Sequence, residues 1–356
     1  TVAKLQNSGY ELGMRNRIIN GAMVIDQRNA GAALTIPAAT NTYTADRFYC
    51  YGAQASKFSV QQNAGSVTPP TGFTNYLGIT SLSAYSITAT DQFVIGQRIE
   101  GLNASDLGWG TAGAASVTLS FWVRSSLTGT FGGAINNGAF NRSYPFTYTI
   151  NSSNTWEQKS ITISGDTTGT WYTTNGIFAS VVFNLGSGST YSTTANTWAA
   201  GNYTAPTGAT SVVGTSGATF YITGVQLEKG SVATPFEFRP YGTELQLCQR
   251  YYWKWIPDGG AIGYNFITAG WAYSSTGIAA IIYLPCKMRT SPTFSYAGSW
   301  RAAGNIGLTA SSIAIDKANT QTPTIAASVT GATVGYIYGI GDESNTSSYM
   351  SFSAEL

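Results

Sequence analysis

The stretch Ser116–Ser126, SVTLSFWVRSS, places Val117, Leu119, Phe121 and Val123 on one parity and Thr118, Ser120, Trp122 and Arg124 on the other. That alternation has period two, the mark of a strand with one face in a core. The same strand character recurs in RFYCYGA (47–53), KFSVQQN (57–63), QFVIGQRIEG (92–101), FTYTI (146–150), WEQKSITIS (156–164), GIFASVVFNLG (176–186) and ATFYITGVQLEKG (218–230). Turn clusters such as SGDTTGT (164–170) and GSGST (186–190) separate them. So many strands with no strong helix between them predict an all-β fold, an antiparallel β-sandwich of the jelly-roll kind.

Composition agrees. Only 10 % of the 356 residues are charged, against about 25 % in ordinary globular chains, while Gly (41), Tyr (22) and Trp (9) are plentiful. Thr, Val, Tyr and Trp suit a pleated, half-buried surface, and Gly and Asn suit tight turns. A surface of Ser, Thr, Asn, Gln and Tyr is polar without being charged, as on extracellular particles. The net charge of +2, with Lys and Arg scattered singly, gives no footprint for nucleic acid. No window approaches the length of apolar residues that spans a bilayer, so no membrane insertion is expected. No charged-then-apolar leader opens the chain, so no signal peptide is expected in it. Cys50, Cys248 and Cys286 fit no metal-ligand spacing or disulfide framework and are expected as small core residues of a protein made in a reducing cytoplasm.

Residues 1–15 read as an N-terminal arm and 16–240 as the sandwich. YGTELQLCQRYYWKW (241–255) offers Thr243 as N-cap with Gln246 three residues on, and Leu245, Cys248 and Tyr252 at helical spacing. Pro257-Asp258-Gly259-Gly260 stops it, so 241–257 is expected as a helical linker. Residues 258–356 again alternate strands with Gly-rich turns, which predicts a smaller C-terminal β-domain. Within NRIINGAMVIDQRNAG (16–31), Arg17–Ile25 is expected as the first strand, pairing near FYITGVQLE; Asp26 and Arg28 then follow as structural anchors rather than a catalytic pair.

The ordered set NRIINGAMVIDQR, YTADRFYCYGA, VTLSFWVRSS, NTWEQKSITISGDTTGTW and ITGVQLEKGSVATPFEFRPYGTELQLCQRYY resembles tail-fibre and related virion proteins of tailed bacteriophages, those of marine and cyanobacterial phages in particular. The resemblance covers about residues 16–255 and implies a jelly roll like that of carbohydrate-binding modules. Asn16, Ile19, Asn20, Gly21 and Met23 match the opening strand of such modules; Phe220, Tyr221, Ile222, Val225, Leu227 and Glu228 match the closing one. Ala22 and Thr223 stand where acidic residues often help hold a structural calcium. Calcium takes about six to eight oxygens, carboxylates among them. No cofactor is therefore expected, and the calcium is weighed against. YLPCKMRTSPTFSYAG (283–298) is similar to a segment of distal β-domains of some phage fibres, and no site is carried across on it.

The absence of histidine excludes Ser-His-Asp and Cys-His catalysis and His-ligated metals. A glycan-cleaving pair of carboxylates is the remaining enzymatic route. The acids lie mostly singly; Asp342-Glu343 reads as a solvated turn, and Asp46-Arg47 and Glu237 with Arg239 read as ion pairs at strand ends. No catalytic residue is assigned. Sugar rings stack on aromatic faces, and amides and hydroxyls read their hydroxyl groups, a chemistry that needs little charge. Trp109, Trp171, Tyr172, Trp198 and Tyr203, with Trp271 and Trp300 in the distal part, are the candidate glycan platforms. The competing reading is that a jelly roll needs such aromatics in its core or under its loops. Trp122 and Trp156 are expected as core or packed edges, and Trp253 and Trp255 between the domains. These expectations add up to a virion protein, a tail fibre or similar external appendage, made in the host cytoplasm. Its partners would be host surface polysaccharide and other virion proteins, and its state a homotrimer. The rival readings are a purely structural head, neck or tail decoration protein and a glycan depolymerase.

Overall fold

The alternation at 117–123 is realised as a strand whose four apolar side chains are fully buried. In the computed structural model, which describes residues 14–257, 265–343 and 347–356, the chain divides into two compact units. The first comprises residues up to Glu244 with Leu356, the second 245–355. The N-terminal arm lies outside the described residues except for Met14 and Arg15, as do Asp258, Gly259 and Gly260 of the expected helix stop.

The first unit is built on ten strands: β1 Phe48–Gly52, β2 Phe58–Gln62, β3 Leu77–Ser81, β4 Gln92–Glu100, β5 Val117–Ser125, β6 Gly129–Asn137, β7 Arg142–Ile150, β8 Glu157–Ile163, β9 Ile177–Ser187 and β10 Thr219–Lys229. They form an antiparallel β-sandwich of the jelly-roll kind. One sheet has the order 34–35, β2, β3, β10, β5, β8; the other runs 199–200, β7, β6, β9, β4, β1, 42–43. Three of the four sheet edges are two-residue strands, which limits the unpaired backbone open to another chain. Between the sheets lies an aromatic core in which Phe121 packs on Tyr148 (5.0 Å between centroids) and Phe183 (4.9 Å). Each such side chain, fully buried, stabilises the fold by about 1.5–3 kcal/mol.

The opening stretch departs from expectation. Residues 17–25 are not a strand: Asn20 (φ 60°) and Met23 (φ 57°) turn left-handed and bend the chain. The expected neighbour is nevertheless correct. Arg17 N donates to Leu227 O (2.8 Å) and Val225 N to Gly21 O (3.0 Å), so the segment flanks the closing strand β10. Asn16 seals the contact, its Nδ2 donating to Val225 O and its Oδ1 accepting from Leu227 N. The Asn20 amide holds the bend, accepting from Ile25 N and donating to Ile25 O and Asp46 O. Gly21 is required because a Cβ there would sit 2.1 Å from Val225 O.

Helix α1 spans Tyr241–Gln249 and begins directly after Pro240, so Thr243 lies inside the first turn rather than capping it. Residues Tyr252–Trp255, expected in the helical linker, instead form a strand paired with Tyr349–Ser353. In the second unit these two strands and Thr293–Ala297 make one sheet; seven further strands make another, ordered 307–310, 300–303, 337–342, 266–274, 277–281, 324–328, 312–317. Trp253, expected between the domains with Trp255, stacks on Phe352 (5.6 Å), and Trp255 meets Trp300 at a tilt (5.6 Å), so both pack on this unit's own core. Cys50 and Cys248 are buried as expected; Cys286 is only half-buried.

Candidate functional site

The strand β1 reads Phe48, Tyr49, Cys50, Tyr51, and its parity sorts the two kinds of side chain. Phe48 and Cys50 enter the core, while Tyr49 and Tyr51 point to the outer face of the seven-stranded sheet. Register carries the same face across the sheet: Tyr51 lies beside Val94, Tyr49 beside Gly96, Gly96 beside Val182, and Val182 beside Ala134. A row further on, Arg98 lies beside Ser180 and Ser180 beside Asn136. Gly96 keeps the middle of this face low, since a Cβ there would come 2.5 Å from Val181 O and 2.8 Å from Val182 Cγ1.

These strands floor a groove of about 200 Å³. Tyr49, Val94 and Val182 form its base; Tyr51, Gln92, Arg98 and Asn136 rise from the sheet; Asn41, Phe140, Asn202 and Thr204 complete the rim. Asn136 is fixed by donating from Nδ2 to Ser143 Oγ (2.8 Å) and Tyr203 O (2.9 Å). The Tyr49 hydroxyl and Ser180 Oγ share a hydrogen bond of 2.9 Å, and burial pushes the Tyr49 phenol above its ordinary pKa, so it stays neutral. The Arg98 guanidinium lies over the Tyr49 ring at 4.9 Å and 5.9 Å from that of Phe140. Its Nη1 and the Tyr43 hydroxyl (3.0 Å) both donate to the Leu356 oxygen. No Asp or Glu lines the groove.

The sequence-based candidates are placed differently. Trp109, Trp171 and Trp198 meet one another, with centroid distances of 4.7 Å, 5.4 Å and 5.5 Å, and share the cluster with Phe178 and Tyr144. Each indole N–H donates to a backbone carbonyl: Trp109 to Ala115, Trp171 to Thr168, Trp198 to Ser164. Trp109 is 5 % exposed and Trp171 7 %, so neither offers a face to a sugar; they tie loops to the core. Trp300, at 1 %, is likewise core, in the second unit. Trp198 is half-buried on this cluster. Tyr172 (46 % exposed) and Trp271 (47 %) are open, Trp271 on the second unit. Tyr203 reaches the groove only through its backbone.

The carboxylates serve the architecture. Asp166 accepts two bonds from Arg142 (2.7 and 2.8 Å) and two from Thr168; burial opposes its charge, but these bonds hold its pKa below the ordinary value. Asp26 caps its own turn, accepting from Asn29 N and Gly31 N, while Arg28 lies over Tyr43 at 4.9 Å. Glu237 and Glu244 receive Arg239, as expected of ion pairs at the ends of this unit. Asp46 differs: it accepts from Gln27, and Arg47 donates to Arg98 O. Burial pushes Asp46 up to about 6, a value suited to acid-base chemistry, yet it faces the 26–31 turn and is no part of the groove. Asp342 is buried at a strand end, where it accepts from Asn265 N, and is no solvated turn. Glu228 accepts from Thr234 N and Oγ1 and from Gln226 Nε2. Among the described residues no group of three or more Cys, Asp or Glu is placed to hold a metal. No helix among them is long and apolar enough to cross a membrane.

Fold and site define an antiparallel sandwich with an aromatic and amide-lined groove on one outer face. No protein-family profile and no curated protein sequence matches the chain. Among solved structures, it is similar to the enzymatically active domain of tailspike protein 4 of bacteriophage CBA120 (12 % identity, 61 % of this chain and 22 % of that one, TM-score 0.32). It is also similar to a protein of Bacteroides thetaiotaomicron described as sugar-binding (12 %, 60 % and 100 %, TM-score 0.36). A third is a family 11 carbohydrate-binding module of Clostridium thermocellum, solved with a β-1,3-1,4-mixed-linked tetrasaccharide (12 %, 57 % and 98 %, TM-score 0.28). The chain thus spans about a fifth of the tailspike domain's length.

Proposed function

We propose that the first unit is a non-catalytic glycan-binding module. The chain would serve on the outside of a phage particle, as a homotrimeric tail fibre or similar appendage that attaches to host surface polysaccharide. The groove carries this reading. Tyr51 and Phe140 present aromatic edges and faces beside the amides of Asn41, Gln92, Asn136 and Asn202, all borne on or next to a rigid sheet. Neutral amides both donate and accept, as sugar hydroxyls require. The groove holds no carboxylate pair, which is what glycoside cleavage would need. The ordered resemblance of residues 16–255 to tail-fibre proteins supports the virion setting, and several copies on one assembly would turn weak sites into firm attachment.

The test is a glycan array followed by calorimetric titration with the purified chain. Tyr51→Ala is expected to lower affinity about tenfold or more while leaving the melting temperature close to that of the parent. Polysaccharide incubated with the protein should keep its chain length. Sedimentation should give three times the 37.6 kDa chain mass. Failure to bind any sugar or host cell would return the chain to a purely structural role among virion proteins. Chain shortening abolished by one carboxylate change would revive the depolymerase.

A further inference from the structure

We propose that the groove selects sugars bearing an anionic group, a carboxylate or a sulfate, and that Arg98 is the residue that holds it. This rests on the glycan-binding reading and narrows it to a ligand class.

The groove's lining contains one formal charge, Arg98, and no Asp or Glu. Carboxylates elsewhere in the unit are committed: Asp166 to Arg142, Asp91 to Thr88 and Tyr85, Glu228 to Thr234. Stacking over Tyr49 and near Phe140 fixes the guanidinium plane, because a ring face attracts the cation. The N–H donors of a guanidinium need oxygens. Nη1 already donates to one, that of Leu356, and the Tyr43 hydroxyl converges on the same atom. Nε is buried with no hydrogen-bond partner. The site is thus arranged around an acceptor. A sugar hydroxyl offers it one neutral oxygen. A carboxylate or sulfate offers two or more charged ones, matching the planar fork of an arginine, and would take the position now held by the Leu356 oxygen. The surrounding aromatic rings lower the local polarity and strengthen that pairing.

The decisive comparison needs no variant. A galacturonic acid oligomer and its methyl ester differ only in the anionic group, and a sulfated galactose oligomer forms a third arm. By calorimetry at low salt, the unmodified protein should bind the acid, the sulfated oligomer, or both, about 10- to 100-fold more tightly than the ester, the range of one charge-assisted hydrogen bond. The stronger of the two anionic arms identifies the group. Arg98→Gln should bring acid and ester to equal affinity, and Arg98→Lys should restore part of the difference. Equal affinity of the unmodified protein for anionic and neutral oligomers would overturn the assignment of Arg98 while leaving glycan binding in place. No binding to these or to any array sugar would overturn both.

Discussion

Trp109→Ala separates the two roles a tryptophan in this chain could have. The side chain is 5 % exposed, packs against Trp171, Trp198 and Phe178, and donates its Nε1–H to Ala115 O at 2.7 Å. Truncation removes the indole from a packed cluster, for which about 3–5 kcal/mol is usual. The loop carbonyl of Ala115 also loses its donor, about 1 kcal/mol more if water does not replace it. In a unit of this size each kcal/mol moves the midpoint by about 2–4 °C, so calorimetry of the full chain should show the first unit melting about 6–20 °C lower. Trp109→Phe keeps most of the packing, loses the hydrogen bond, and should fall between. Affinity for a groove ligand, measured well below the new midpoint, should stay within about twofold of the parent, since Trp109 does not line the groove. An unchanged melting temperature with binding abolished would refute the reasoning and restore Trp109 as a sugar platform.

Asp46 is protonated more readily folded (about 6) than unfolded (3.8), so the stability it contributes is full below about pH 4 and is lost as pH rises through about 6. Asp46→Asn does not titrate; the difference in unfolding free energy between variant and parent should therefore shift in the variant's favour by roughly 3 kcal/mol between acid and neutral pH, read from urea titrations. Arg142→Met leaves the buried Asp166 without its bidentate partner and should cost about 3 kcal/mol at neutral pH, with the loss shrinking in acid as Asp166 protonates; a pH-independent cost would argue that packing, not charge, is at stake. Gly21→Ala forces a Cβ against Val225 O and should destabilise on the order of 3 kcal/mol, whereas an unchanged denaturation midpoint would show that the 17–25 segment is not tied to β10 as described. We propose that no calcium holds this fold: chelator treatment should leave the melting temperature unchanged, because Glu228 is already bonded by Thr234 and Gln226.

The period-two run at 117–123 announced a one-sided strand, and the same strand character located β1, β2, β4, the second half of β7, β8–β10 and the all-β fold. It overreached at 17–25. There the apolar pattern resembles a strand, but Asn20 and Gly21 break the extended backbone, and the Asn20 side chain supplies bonds that a strand partner would otherwise make. It overreached again at 252–255, where aromatics at helical spacing are equally at home on a pleated strand.

The site was legible only in part. RFYCYGA shows by parity that Tyr49 and Tyr51 share a face opposite Phe48 and Cys50, but parity does not tell which face stays open to a ligand. Tryptophan is the largest stacking surface, but size and a polar N–H are also what make Trp109 and Trp171 suitable for pinning loops onto a core. Local alternation, turn chemistry and a scarcity of charge are written along the chain, because each depends on neighbours one or two residues away. The groove joins Tyr51, Arg98, Asn136 and Asn202 from strands and loops far apart in sequence, and Gly96 matters only because Val182 lies across from it. Register between strands brings these residues together, and register is set by the packing of the whole sandwich.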